Sequence, residues 1–248
     1  LGDKFILGED NQYYYRMSRI LASPMVESEE SIYIVKDGYI YSKNKKTGEI
    51  VPLCNKPDCM HDDSEFNDNG SSNCNAYVGV AWALDYYHNK LYFMTAFSEL
   101  YEMDKSGTTR TKLMQLKEDP FAAMLHRGYL YLSFTSSDGL PDEYTEEEKK
   151  ELSYRVDRYR IDQWDGNPET IYEKKGAYGQ INVMFAYGNQ IYMPLAAAPG
   201  EYGTIVYDIL EKTASFHPEI QGYAAPVDGK LLHYVPSDVP ETGGLTQE

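Results

Sequence analysis

One phrase recurs along the chain: a turn-forming pair, one further residue, an aliphatic side chain and then, usually, tyrosine. It reads Asp37-Gly38-Tyr39-Ile40-Tyr41, His88-Asn89-Lys90-Leu91-Tyr92, Arg127-Gly128-Tyr129-Leu130-Tyr131 and Gly188-Asn189-Gln190-Ile191-Tyr192. A looser copy is Asp228-Gly229-Lys230-Leu231-Leu232. Glycine and asparagine tolerate the positive φ of tight hairpins, so each phrase reads as a turn entering a strand. Alternation then sends the aliphatic to one face and tyrosine to the other.

A second phrase follows: Leu100-Tyr101-Glu102-Met103-Asp104 before Gly107, Arg158 to Asp162 before Gly166, and Ile205 to Asp208 before Thr213. Tyr39 to Ser42 before Gly48 is a shortened version. Strand-like stretches come after each, giving meanders of three to four strands. The turn positions 38, 89, 128, 189 and 229 lie 51, 39, 61 and 40 residues apart. With insertions removed, that period is the one of propeller blades. Small twisted sheets of this kind cover their apolar faces only by packing on neighbours. The chain therefore reads as a single all-β domain over 1–248, a β-propeller of antiparallel three- to four-stranded blades with about five units visible. It is either a whole small ring or part of a larger one; a strand over Tyr13–Met17 would help to close it.

Three segments interrupt the pattern. Residues 137–153 form an acidic insertion in which Thr145 and Glu148 match a helix capping box. Residues 236–248 are polar with Pro and Gly, and read as a weakly ordered tail. Residues 54–77 hold all three cysteines, as Cys54-x4-Cys59-x-His61 and then Cys74. The stretch between is too polar to pack as core, so a cross-link must order it. Cys54, Cys59, His61 and Cys74 could close a structural Cys3His zinc site. The alternative is a disulfide among the cysteines, worth about 3 kcal/mol in the chain-entropy model, with one thiol left over.

Composition narrows function by exclusion. The 24 tyrosines suit half-buried pleated surfaces. A net charge of −16 without any basic stripe argues against nucleic acid as a partner. No apolar run approaches the ~20 residues that cross a bilayer. The chain opens at Leu1 without Met or signal peptide and reads as processed or trimmed. Sialidase-type repeats, G-x-S-x-G, H-E-x-x-H and phosphate-loop patterns are missing. His88, His126, His217 and His233 sit at turns or strand edges; Trp82 reads as core, and Trp164, in a turn, is the candidate for stacking on a ligand.

The lead-in Ile40-Tyr41 to Leu53, the Cys54-x4-Cys59-x-His61 run and Cys74-Asn75-Ala76-Tyr77 resemble uncharacterised propeller-type surface lipoproteins of anaerobic gut Firmicutes. The likeness runs from about Ser31 to Val235. It implies export, an extracytoplasmic cell-surface location and membrane attachment only through a lost N-terminal lipid anchor. Members are usually longer, which favours a partial propeller. No activity comes with the resemblance. The expectation is a non-catalytic binding or scaffold module for a peptide, glycan or surface protein. The alternative is a carbohydrate-active enzyme, a glycosidase or lyase, with its site in the central channel.

Overall fold

The computed structural model describes residues 4–12, 24–66, 72–136, 144–145, 147–164, 167–195, 203–227 and 230–234, from 221 onward as backbone alone. Four antiparallel four-stranded sheets follow one another along the chain as the blades of a β-propeller. Blade 1 is β1 (Met25–Glu27), β2 (Ser31–Lys36), β3 (Tyr39–Asn44) and β4 (Ile50–Pro52). Blade 2 is β5 (Ala81–Tyr87), β6 (Lys90–Thr95), β7 (Glu99–Asp104) and β8 (Arg110–Gln115). Blade 3 is β9 (Ala122–His126), β10 (Tyr129–Thr135), β11 (Ser153–Arg160) and β12 (Glu169–Lys175). Blade 4 is β13 (Phe185–Tyr187), β14 (Gln190–Pro194), β15 (Thr204–Asp208) and β16 (Thr213–His217). A fifth unit is a hairpin, β17 (Gln221–Val227) with β18 (Lys230–Tyr234). Five units were expected, and the described residues give four full blades and this hairpin.

The first strands of successive blades touch, β1 with β5 and β5 with β9. Between blades lie apolar seams. Tyr33, Val35, Leu91 and Phe93 fill the seam of blades 1 and 2. Met94, Leu130, Leu132 and Phe134 fill that of blades 2 and 3, and Met124, Tyr131, Val156, Ile191 and Ile205 that of blades 3 and 4. The turn phrase explains this segregation. In β6, β10 and β14 the aliphatic (Leu91, Leu130, Ile191) faces the preceding blade. In β10 the next residue, Tyr131, faces the following one. Period-2 alternation thus serves two neighbours rather than a core and a solvent. All six side chains of these pairs are at most 7% exposed, with Tyr92 and Tyr192 completing the set.

The turns themselves carry the required backbone. His88 and Asn89 have φ of 44° and 63°, and Arg127 and Gly128 have 45° and 80°. Two consecutive positive-φ residues match the right-handed twist of the strands they join.

Blade 1 carries the turn phrase at a different place from the other blades. In blades 2, 3 and 4 the turn phrase joins first and second strands; Asp37-Gly38 joins β2 to β3, the second and third. The interval from 38 to 89 therefore spans two unlike hairpins. Ile40 accordingly faces blade 2, the following blade, unlike the other aliphatics.

In the acidic insertion, Thr145 and Glu148 form the expected capping box. The Glu148 carboxylate accepts from the Thr145 N–H at 2.8 Å and its hydroxyl at 2.7 Å, and the Glu148 N–H reaches back to the Thr145 hydroxyl at 3.3 Å. The α-helix that follows, α1, is one turn, Glu148–Glu151. The early part of this insertion, the strand expected over 13–17, the Asp228-Gly229 turn and the 236–248 tail lie outside the described residues.

Candidate metal centre

The loop from Cys54 to Tyr77 joins blade 1 to blade 2 and is built from its anchors inward. Leu53 is buried and its N–H donates to the Ile40 carbonyl at 2.8 Å. On the return leg the Ile40 N–H reaches the Ala76 carbonyl at 2.8 Å, and the Val78 N–H the Gly38 carbonyl at 2.8 Å. The excursion between is stitched by its own polar groups. Phe66 bridges to Ser72, the Asn73 N–H donates to the Glu65 carbonyl, and the Lys56 ammonium caps the Asn73 carbonyl. Phe66 packs edge-on against Tyr77, with centroids 4.6 Å apart, and Tyr77 against Tyr39 at 5.2 Å.

Blade 2 holds the loop from the far side. The Arg110 guanidinium donates to the carbonyls of Cys74, Asn75 and Tyr77. The Asn75 amide donates to the Gly107 and Thr108 carbonyls, both at 2.9 Å. Gly107 has φ of 74°, and a Cβ there would lie 2.4 Å from the Leu53 carbonyl oxygen.

This frame gathers the four side chains that the spacing pointed to. One ligand atom from each of Cys54, Cys59, His61 and Cys74 lies within 4.8 Å of all the others. The three cysteines are free thiols. Tetrahedral Zn–S and Zn–N bonds put ligand atoms roughly 3.5–3.8 Å apart. Cys74 Sγ stands 3.6 Å from His61 Nδ1. Backbone N–H groups aim at each sulfur: those of Lys56 and Asn75 at Cys54, of His61 at Cys59, and of Ala76 and Tyr77 at Cys74. Donors of this kind favour thiolate over thiol. The cluster can hold a metal ion. His61 reaches it from a left-handed backbone, φ 58°, which turns the ring back toward the cysteines.

Beside the loop opens a groove of about 320 Å³. Its walls are Tyr77 and Val80 from the loop side and Phe93, Phe97 and Tyr101 from blade 2, with Glu99 and Arg110 among them. Phe97 is 79% exposed and Val80 70%. The turn presenting Phe97 is pinned: Gln115 donates to the Phe97 carbonyl at 2.7 Å, and Leu116 to that of Ser98 at 3.0 Å. The hydrogen bond from the Lys112 ammonium, despite opposing burial, holds the Glu99 carboxyl below its ordinary range.

At the other end of β5 the turns of blades 2, 3 and 4 converge on the segment Lys4–Gln12. The Gly8 and Glu9 carbonyls accept from the His88 and Arg127 N–H groups at 3.0 and 2.8 Å. Asp10 pairs with Arg127 at 2.7 Å. Asn11 donates from its N–H to His126 Nδ1 at 3.1 Å and from its amide to Asp85 at 3.4 Å. His126 Nε2 in turn donates to the Gly188 carbonyl at 2.8 Å. Asp10, Asn11, Asp85 and His126 are all at most 5% exposed. His126 was expected at a strand edge, where it does sit, but fully buried; its partners are far away in sequence and left no local signal.

The remaining candidates fall as follows. Trp82 is core, its indole N–H donating to the Thr95 carbonyl at 3.0 Å. Trp164 is half-buried against the seam of blades 2 and 3. His88 is exposed and stacks on Tyr87 at 4.0 Å. His217 ends β16, and the side chain of His233, in β18, is outside the described residues.

No protein-family model matches the chain, and no curated protein does. Among solved structures it is similar to the N-terminal domain of Nup159, at 10% identity and TM-score 0.42 over 83% of this chain and 53% of that one. It is similar to the computationally designed protein Ika8, at 11% identity and TM-score 0.46 over 84% and 66%. A third is an oligogalacturonate lyase from Vibrio parahaemolyticus, at 8% identity and TM-score 0.39 over 88% and 67%. The chain spans about half the length of the Nup159 domain. Likeness at this level carries nothing about what the chain binds or converts.

Proposed function

We propose that the chain is an extracytoplasmic binding or scaffold propeller, stapled at its first blade seam by a structural zinc ion and presenting the adjacent groove to a peptide, glycan or surface protein. The observation that carries the binding role is the groove itself, with an aromatic anchor held outward on a pinned turn beside the charged side chains of Glu99 and Arg110. Ligand sites are concave, mostly apolar and furnished with a few polar groups. An exposed apolar patch of this kind marks a contact surface.

Three soft thiolates and one imidazole favour zinc over hard cations, and four protein ligands make a closed, structural site rather than a catalytic one. The surface location and lipid attachment rest on the family resemblance described above. The junction at Lys4–Gln12 gathers carboxylates, but Asp10 and Asp85 are closed off and already engaged by Arg127, Asn11 and the Leu125 N–H. That arrangement suits a packed junction better than a glycosidase or lyase centre, whose carboxylates must face a substrate.

Two measurements test the proposal. Elemental analysis of the purified protein should give one zinc per chain; none, with the thiols oxidised, would overturn the staple. Glycan and peptide arrays probed with the wild type and with Phe97→Ala should show binding that the substitution weakens about tenfold or more. Binding that survives Phe97→Ala unchanged would remove the groove from the account.

A further inference from the structure

The outer edge of blade 4 carries an arrangement that the proposed binding role does not use. β16 is extended, so Ser215 and His217 project from the same side, two residues apart. The chain then turns at Pro218, closed by the Ile220 N–H on the His217 carbonyl at 3.2 Å. That turn brings Glu219 back beneath the ring. Ser215 Oγ lies 2.8 Å from His217 Nε2, and His217 Nδ1 lies 2.8 Å from Glu219 Oε1.

Donor and acceptor roles follow from the chemistry. An ionised carboxylate only accepts, so Nδ1 carries the proton and donates to Glu219. In the neutral imidazole Nε2 is then the acceptor, and the serine hydroxyl donates to it. Nucleophile, base and orienting acid stand in the order that defines an activated serine, each within hydrogen-bond reach.

The positions are also held. Thr204, opposite His217 in the β15–β16 register, donates its hydroxyl to the Ile220 carbonyl at 2.8 Å. Ile220 packs on the apolar group of Phe185, Tyr192 and Val206. At Gly203 a Cβ would lie 2.7 Å from the His217 carbonyl oxygen, so the two backbones are in close contact. Ser215 is exposed and the His217 side chain is 34% exposed, so a substrate carbonyl can reach Oγ without any opening of the blade.

We propose that Ser215, His217 and Glu219 form a nucleophilic triad that transfers acyl groups from small neutral esters to water. This chemistry is independent of the groove and departs from the expectation of a non-catalytic chain. Ser215 Oγ attacks the ester carbonyl while its proton passes to His217 Nε2. The carbon–oxygen bond to the alcohol breaks, and the departing alkoxide takes that proton. Water, deprotonated by the same nitrogen, then cleaves the acyl-serine to give a carboxylic acid and the free hydroxyl. Glu219 holds the ring in the tautomer that can accept.

The experiment uses a fluorophosphonate probe on the full chain, with the modified peptide identified by mass, alongside hydrolysis of p-nitrophenyl acetate. General-base assistance is worth about 10²–10⁴-fold, and the lower end applies to an exposed site. Ser215 should be labelled about a hundredfold faster than in urea-unfolded chain or in His217→Gln. Glu219→Gln should slow labelling about tenfold, and ester hydrolysis should fall in parallel in all three variants including Ser215→Ala. The unfolding midpoint of each variant, unchanged from wild type, separates lost chemistry from lost fold. Labelling of Ser215 no faster than in the unfolded chain, or unaffected by His217→Gln, overturns the proposal.

Discussion

Cys59 shows what the loop pays for gathering its ligands. Before a metal binds, burial pushes its thiol up to about 12, and the hydrogen bonds of Cys74 and Cys54 and the charge of Cys74 add to this against the His61 N–H. Cys74 is raised too, chiefly by burial. Cys54 goes the other way: burial opposes ionisation, but the N–H groups of Lys56 and Asn75 and the two other thiols outweigh it. Cys54 is thus the easiest of the three to ionise, and Cys59 and Cys74 hold their protons more tightly than an ordinary thiol. Zinc takes all three as thiolates, so binding near neutrality must expel protons from Cys59 and Cys74. Protons bound more tightly in the free state compete more strongly as pH falls. Zinc affinity should therefore climb from about pH 6 to about pH 8, by roughly tenfold per unit for each proton displaced. Competition against a chromophoric chelator across that range measures it, and a flat profile would mean the thiols are not the ligands.

Among elements, the β7–β8 turn matters more than its small size suggests. Gly107 supplies a carbonyl to the Asn55 N–H at 3.3 Å and to the Asn75 amide, so it seats both legs of the metal loop. Gly107→Ala would force a Cβ onto the Leu53 carbonyl in a left-handed backbone. The substitution should cost about 2–4 kcal/mol, summing the strain of φ > 0 and of overpacking. It should also weaken zinc binding, whereas Gly48→Ala, with open space around its Cβ, should cost only the backbone term of about 1–2 kcal/mol. Denaturant unfolding of the two variants, with and without zinc, makes the comparison. Nothing in the local sequence announced Gly107, Asn75 or Arg110 as a seat, because their contacts cross more than thirty residues. The cluster of Cys54, Cys59, His61 and Cys74 was legible because soft donors stood together in a stretch too polar to be core. The hairpins were legible because turn chemistry is local. Which hairpin of a blade a turn belongs to is not local. Asp37-Gly38 carries the same chemistry as Arg127-Gly128, yet it joins the second strand of its blade to the third where Arg127-Gly128 joins the first to the second.

Across the whole molecule, the apolar seams between blades are separate clusters, so cohesion passes from each blade to its neighbours. Stability in such an array approximates a sum of blade terms and nearest-neighbour terms. The metal loop belongs to one seam only: its legs hold β3 through Ile40, the turn at Gly38 and, through Arg110, blade 2. The segment Lys4–Gln12 ties the other end, reaching blade 1 through Gln12 on Glu27, blade 2 through Gly8 and blade 3 through Glu9 and Asp10. Chelation should therefore loosen the molecule locally before it melts it globally. Amide protection at Ile40, Val78 and the loop should fall by about a hundredfold or more, which corresponds to roughly 3 kcal/mol of local opening. Protection at Met124, Val156 and Ile191, in the seam of blades 3 and 4, should stay within about twofold of the zinc-loaded protein. Hydrogen exchange read by mass spectrometry, with a strong zinc chelator and then with zinc restored, follows both seams at once. Equal loss in both would mean that the blades are one cooperative unit and that the staple acts on the entire fold rather than on the seam it crosses.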